Sequence, residues 1–285
     1  MNEKELLETE EIELELFLQA VYLKYGYDFK SYTRRHIKRR IKRRMNLDNI
    51  SAITKIIEKS LYNEEYFKNI ILKDLSINTT EMFRYPEFFK MIREKIIPEL
   101  RTYPSVNIWH AGASTGEEIF SMAILLKEEG LLDKTNIYAT DFNEDVLEVA
   151  KKGIYSMEKV KKWTKNYQEA GGKKSFAEYY TAKYDSVIFD SSLIKNVTFL
   201  EHNLVEDSSF IEANLIICRN VFIYFNNELQ EKVLKLFLDS LVKGGFLGIG
   251  SKESIKYNES RKHFNEISFR NKIYQKKYLE WLYEI

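Results

Sequence analysis

Between Val106 and Glu118 the chain reads VNIWHAGASTGEE, an apolar stretch that passes through a turn of small residues into the start of a helical stretch. A strand that enters a helix this abruptly needs the φ angles and close approach that Gly112 and Gly116 allow and residues with a Cβ resist. The new helix also offers unpaired N–H groups at that point, so a ligand can touch backbone there. Phosphate does not suit the turn. A phosphate-binding loop would require Lys then Ser/Thr after its last glycine, whereas Glu117 and Glu118 follow and would repel an anion. The place suits a cation. A further carboxylate, Asp141, closes the next apolar stretch, Ile137-Tyr138-Ala139-Thr140. Two acids so spaced fit an S-adenosylmethionine pocket, one for a ribose diol and the other for a cationic methionine moiety. A tight turn with surface glutamates would read the same way, so the rest of the chain has to decide.

The patterning changes style along the chain. From residue 10 to about 75 apolar residues recur at helical spacing (Leu14, Phe17, Leu18, Val21 and Tyr22, then Ile53, Ile56, Ile57 and Leu61), with no strand pattern between them. From Val106 onward short apolar runs alternate with helical stretches: Val106–Trp109, Ile119–Lys127, Ile137–Thr140, Asp145–Lys151, Asn196–Glu201, Leu215–Cys218, Glu228–Leu241 and Phe246–Gly250. That alternation predicts an α/β fold, a doubly wound and mostly parallel sheet with helices on both faces. His263 to Lys277 reads as two strands around a turn near Arg270-Asn271, which supplies an antiparallel edge. The expected organisation is a small helical domain (1–77), a connection holding all three prolines (78–104), and a larger α/β domain (105–285). Residues 160–195, with Gly171-Gly172 and the run Phe176, Tyr179, Tyr180, Tyr184, are the least legible part and read as an inserted subdomain.

Composition narrows the class further. A chain of 285 residues at 44% hydrophobic can bury a large core. Its single cysteine permits no internal disulfide, and Cys218 reads as a small buried apolar residue. No run of about 18 apolar residues offers a membrane span, so the reading is a cytoplasmic protein without membrane insertion. The net charge of +1 conceals a local asymmetry: seven of the first fifteen residues are Glu, while Arg34 to Arg44 holds eight Lys or Arg and no acid. Partners are therefore read from patches.

Five segments stand in order along the chain: Asn78-Thr79-Thr80-Glu81-Met82-Phe83-Arg84-Tyr85-Pro86-Glu87-Phe88-Phe89, the glycine turn from Trp109 to Glu118, Ala139-Thr140-Asp141, His202-Asn203-Leu204, and Cys218-Arg219-Asn220-Val221-Phe222-Ile223-Tyr224-Phe225. This series closely resembles the CheR family of chemotaxis receptor methyltransferases, from about residue 15 to 275. The resemblance implies the methyltransferase fold, a small antiparallel β insertion, and methyl transfer from S-adenosylmethionine to a glutamate side chain of a receptor. The products are a methyl ester and S-adenosylhomocysteine. Carried over residue by residue, the family pattern assigns the cofactor to Asn78, Thr80, Arg84, Glu117, Asp141, Asn203, Leu204, Arg219 and Asn220. Glu117 would meet the methionyl ammonium, Asp141 the ribose, Asn203 and Leu204 the adenine.

A carboxylate nucleophile with pKa near 4.3 is ionised at neutral pH and needs no general base. The four histidines (36, 110, 202 and 263) accordingly form no proton-abstracting or metal-binding arrangement in the sequence, and no metal is expected. Positioning carries the load, and in-line alignment can contribute roughly 7–11 kcal/mol. Arg84 is the first catalytic candidate, holding one oxygen of the substrate carboxylate, with an ion pair to Glu81 or Glu87 as the plainer alternative. Tyr224 is the second. The chain departs mildly from its relatives in Met82-Phe83, where two phenylalanines are common, and in His110 and Ala113 within the turn.

YTRRHIKRRIKRRM, from Tyr32 to Met45, places Ile37, Ile41 and Met45 on one stripe and Arg35, Lys38, Arg39 and Lys42 on the neighbouring face. The resemblance implies that this face recognises the acidic helical cytoplasmic region of a receptor. Eight cations on one helix equally make a phosphate-binding footprint, which keeps an RNA-directed methyltransferase as the rival. Against it, the chain lacks Pro-Pro, hence the Asn/Asp-Pro-Pro-Tyr motif of amino-directed enzymes, and has one cysteine where a carbon methyltransferase needs two. A non-catalytic cofactor-binding adaptor is the third reading, which Arg84 and Tyr224 argue against.

Overall fold

The computed structural model describes residues 3–75 and 80–278, and these divide into two compact units: residues up to 75 with Tyr224–Leu229, and residues 80–223 with 230–278. In the first unit, α1 (Glu3–Tyr25) buries Leu14, Phe17, Leu18 and Val21, one helical stripe. Tyr22, at the margin of that stripe, stays exposed beneath the Lys30 ammonium. Helix α2 (Arg34–Asp48) buries Ile37 and Ile41 and stops at Asn49, whose φ of 55° lets its N–H cap the Met45 carbonyl. Helix α3 (Ile53–Tyr62) buries Ile53 and Ile56, while Leu61 lies at the surface. A short helix α4 (Glu64–Tyr66), a π turn (Phe67–Ile71) and α5 (Leu72–Leu75) complete the unit. The Tyr25 and Phe67 rings stack 3.9 Å apart at its centre.

The second unit begins with helix α6 (Pro86–Met91), which runs through a π turn (Ile92–Ile96) into α7 (Ile97–Leu100). Proline opens α6 because its missing N–H would be unpaired there anyway. This stretch, expected as a connection, supplies Phe88, Phe89, Ile92, Ile96 and Leu100 to the main core. Then follow β1 (Val106–Ala111), α8 (Glu117–Glu128), β2 (Thr135–Asp141), α9 (Glu144–Lys152), β3 (Ile154–Ser156), α10 (Val160–Glu169), β4 (Tyr180–Lys183), β5 (Ser186–Phe189), β6 (Val197–Glu201), β7 (Ala213–Cys218), α11 (Asn227–Ser240), β8 (Leu241–Ile249), β9 (Phe264–Ser268) and β10 (Ile273–Lys276).

Seven strands form one sheet in the order β6-β2-β1-β7-β8-β10-β9. The first five are parallel and β10 pairs antiparallel with both β8 and β9, so the antiparallel edge expected from the tail is present. Because β7 is buried throughout, its stretch Leu215–Cys218 reads as a continuous apolar run instead of an alternating one. The order reverses between β1 and β7, and the crevice beyond the carboxyl ends of these strands is where open α/β sheets hold ligands. A second, three-stranded antiparallel sheet, β3-β5-β4, forms the expected insertion; its first strand lies before residue 160. Among the described residues no helix is long and apolar enough to cross a membrane.

Candidate functional site

Every strand of the parallel set except β8 delivers a sequence-predicted residue to the carboxyl edge of the sheet. After β1, the N–H groups of Gly112 and Ala113 both donate to the Thr140 carbonyl at 2.8 Å, stitching the turn to the end of β2. Glycine is required at both ends of the turn. Gly112 has φ +84° and a Cβ there would stand 2.6 Å from Val221 Cγ2; Gly116 has φ +90° and a Cβ would stand 2.7 Å from Ala150 Cβ. Tyr155 braces the same turn by donating its hydroxyl to the Thr115 carbonyl at 2.7 Å.

The adjacent glutamates diverge because helical neighbours point about 100° apart. Glu117 is 1% exposed; its Oε2 accepts from the Thr115 hydroxyl at 2.6 Å and its Oε1 lies 3.3 Å from Lys159 Nζ. Burial raises its pKa, against the hydroxyl and the ammonium. Glu118 turns to the Arg219 guanidinium at 2.7 Å and to His110 Nδ1 at 3.2 Å. Burial would raise the Glu118 pKa, but Arg219 and His110 outweigh it and hold the carboxyl below the usual range.

Asp141 is 7% exposed and accepts from the Ser114 N–H at 2.9 Å and the Asn143 N–H at 3.1 Å. Burial pushes its pKa up to about 6 despite these backbone donors. A carboxylate has about four lone-pair positions, so beside the Ser114, Asn143 and Phe142 N–H groups room remains for a hydroxyl donor. The loop after β6 lies alongside: the His202 N–H donates to the Asp141 carbonyl at 3.1 Å, which sets Asn203 and buried Leu204 next to it. The Asn203 side-chain oxygen accepts from the Val205 N–H at 3.0 Å, shaping its own turn.

Arg84 sits on strained backbone. Phe83 and Tyr85 on either side have φ of 49° and 59°, a region that bulky residues avoid and that costs of order 1–3 kcal/mol each. Three side chains hold this segment: Asn166 donates to the Met82 carbonyl at 3.0 Å, Ser121 Oγ accepts the Phe83 N–H at 2.8 Å, and Arg219 donates to the Arg84 carbonyl at 2.8 Å. Of the acids considered as alternative partners for Arg84, Glu81 pairs with Lys162. Arg219 is itself enclosed, its side chain 2% exposed and its guanidinium 4.1 Å above the Phe88 ring. Its visible partners are thus Glu118, Phe88 and the Arg84 backbone. Asn220, at φ 64°, gives its N–H to Glu253 Oε2 at 3.1 Å.

Thr80 is half-buried and Asn78 lies outside the described residues. Tyr224 is grouped with the helical unit, its carbonyl accepting from the Thr33 N–H at 2.8 Å and its ring 5.6 Å from the His36 ring. On α2, Lys38 pairs with Glu10 and Glu11, and Lys42 pairs with Glu10, so α1 neutralises half of the predicted cationic face. Arg35, Arg39 and Arg43 line an open groove of about 650 Å³ with Lys38 and Lys42.

Sequence reasoning passed over four side chains. Glu118 was visible only as the second of two glutamates, Lys159 and Tyr155 stood in the weakly patterned stretch after α9, and Glu253 followed the last parallel strand without a motif. Glu253 is 4% exposed and accepts from the Asn220, Ile223 and Gly250 N–H groups. These contacts make it a buried backbone clasp, and burial raises its pKa. Among the described residues no cluster of three or more His, Cys, Asp or Glu is placed to hold a metal ion.

These groups fit S-adenosylmethionine: a glycine turn a Cβ would fill, a buried carboxylate at the start of α8, and a second with a spare acceptor position at the end of β2. Comparison with known proteins agrees. The CheR methyltransferase S-adenosylmethionine-binding domain matches residues 78–273, and the CheR all-alpha domain matches residues 12–71. A Pseudomonas putida protein named Cher3 is 47% identical over 266 residues, covering 93% of this chain and 97% of that one. A chemotaxis protein methyltransferase of Listeria innocua is 30% identical over 84% of this chain and 88% of its own length. Another, from Borreliella burgdorferi, is 26% identical over 90% and 93%. With both domains matched in order and the glycine turn, Glu117 and Asp141 assembled at one sheet edge, this chain belongs to the CheR family of S-adenosylmethionine-dependent methyltransferases.

Proposed function

We propose that the protein methylates glutamate side-chain carboxylates in the acidic helical cytoplasmic region of a chemoreceptor-like protein, acting in the cytoplasm and forming methyl esters. The observation that carries this reading is the strained segment around Arg84, fixed at Met82, Phe83 and Arg84 by Asn166, Ser121 and Arg219. Strain held by three side chains is expected where one side chain has to be presented in one direction. A guanidinium so presented orients a carboxylate through one oxygen and leaves the other to react.

S-adenosylmethionine, when bound, supplies an electrophilic methyl group on a sulfonium sulfur. Glu117 would hold the methionyl ammonium, Asp141 would accept from the ribose hydroxyls, and Leu204 with Asn203 would meet the adenine. Asn78, Thr80, Arg219 and Asn220 complete the cofactor set on the family pattern, and Tyr224 is the second catalytic candidate. No side chain has to take a proton from an ionised carboxylate. The two histidines of the sheet edge are occupied structurally, His110 against Glu118 and His202 edge-on to Trp109 at 5.2 Å. Relatives named chemotaxis protein methyltransferases support the receptor as substrate.

The α2 face is proposed to dock the substrate helix. Neutralisation of Lys38 and Lys42 by Glu10 and Glu11 lowers the charge of this face toward an acidic helix and toward RNA alike, so the experiment has to separate the two. Incubation with methyl-labelled S-adenosylmethionine and membranes of the source organism tests the reading. Label that leaves protein as volatile methanol under mild alkali supports it, and alkali-stable label on RNA with none on protein overturns it.

A further inference from the structure

Lys159 ends the 3-10 turn Met157–Lys159 that leads into α10, and it brings an ammonium to the buried Glu117 carboxylate. Its Nζ lies 3.3 Å from Glu117 Oε1 and 5.5 Å from the centroid of the Trp163 ring. The two partners differ sharply in surroundings: the Glu117 side chain is 1% exposed and that of Lys159 is 49% exposed. A half-exposed lysine adds little stability through such a pair, whereas burying the carboxylate opposes folding, so stability does not explain the arrangement. Recognition does. The head of an α-amino acid carries an ammonium and a carboxylate roughly 3 Å apart on one carbon. A carboxylate and an ammonium 3.3 Å apart form the complementary pair, minus facing plus and plus facing minus. Lysine has three donors, and the bond to Glu117 uses one.

We propose that Lys159 is a specificity residue for the cofactor, binding the carboxylate of its methionyl head beside the ammonium held by Glu117. This rests on the assignment of Glu117 to the ammonium. Together the two residues read the zwitterion, so that adenosine thioethers lacking the amino-acid head, or lacking only its carboxylate, are discriminated against.

Calorimetry on the full-length protein tests this with three ligands: S-adenosylhomocysteine, its decarboxylated analogue, and 5′-methylthioadenosine, which lacks the head altogether. Lys159→Met should weaken S-adenosylhomocysteine about tenfold, the scale of one charge-assisted hydrogen bond, and change the other two by less than about twofold. Lys159→Arg should restore most of the loss, and Lys159→Gln should repeat the methionine result. Equal weakening of all three ligands, or tighter binding of S-adenosylhomocysteine once the lysine is gone, would overturn the proposal while leaving the cofactor assignment intact. A wild-type protein that binds none of the three defeats the cofactor assignment and the proposal with it.

Discussion

Asp141 is a carboxyl whose burial outweighs its backbone donors, Ser114, Asn143 and Phe142, leaving its pKa at about 6 against an ordinary 3.8. Its folded form holds a proton more tightly than its unfolded form, so its contribution to stability is full below pH 3.8 and is lost as pH rises through about 6. On the proposed assignment, ribose hydroxyls donating to the ionised form would reverse that preference in the complex. Affinity for S-adenosylhomocysteine should therefore fall as pH drops through about 6, by up to roughly tenfold per unit. Asp141→Asn should remove its part of this dependence, leaving the part that belongs to Glu117, whose pKa burial also raises. A flat calorimetric affinity from pH 5 to 8 in the wild type would remove Asp141 from the ribose. Arg84 separates binding from chemistry. Arg84→Ala should abolish most methyl transfer while lowering cofactor affinity much less, and near-normal turnover would reduce it to a structural residue.

At the scale of elements, the glycine turn is the most constrained connection in the fold. Gly116→Ala meets both a φ of +90° and Ala150 at 2.7 Å, so it should destabilise the protein by about 2–4 kcal/mol in urea unfolding and weaken cofactor binding with it. An unchanged midpoint would mean that the turn relaxes freely. The strut from Glu118 through Arg219 to the Arg84 carbonyl ties the helix after β1 to the strained segment. Arg219→Met should cost about 3–5 kcal/mol, the scale for breaking a buried ion pair, because it strands the ionised Glu118. Denaturant titration measures this, and a loss below about 1 kcal/mol would show that water replaces the guanidinium.

For the whole molecule, the proposed cofactor residues that the structure describes belong to one unit, and the basic helix to the other. Reversing Lys38 or Lys42 would set an acid against Glu10 and unsettle the α1–α2 pair, so Arg35 and Arg39 are the informative positions. Arg35→Glu with Arg39→Glu should slow methylation of receptor protein severalfold, with the difference shrinking as salt rises and the Debye length falls below about 8 Å. Cofactor affinity by calorimetry should not change. Loss of retention on structured RNA, with receptor methylation intact, would favour the rival function.

Local patterning carried most of the architecture. The helical stripe of α1, the alternation of strands and helices after Val106, and the glycine turn were legible because each is a short-range pattern with its own periodicity or backbone demand. The motif series likewise assigned Glu117, Asp141 and Arg84 to one expected site, and the structure sets the ends of β1 and β2 that carry Glu117 and Asp141 side by side. What the sequence could not express was pairing across distance. Glu118 meets Arg219, 101 residues away, and Arg219 reaches the Arg84 carbonyl across 135. The same holds for Lys159 beside Glu117, and for Glu10 neutralising Lys38 and Lys42 on a helix that read as an open cationic face. Residues 78–104 read as a connection because their prolines suggested one, yet their apolar side chains from Met82 to Leu100 had a core to enter that only the assembled sheet provides. A residue's type and spacing determine which secondary structure it joins, whereas its charge partner and its dielectric surroundings depend on which distant segments the packed sheet brings against it.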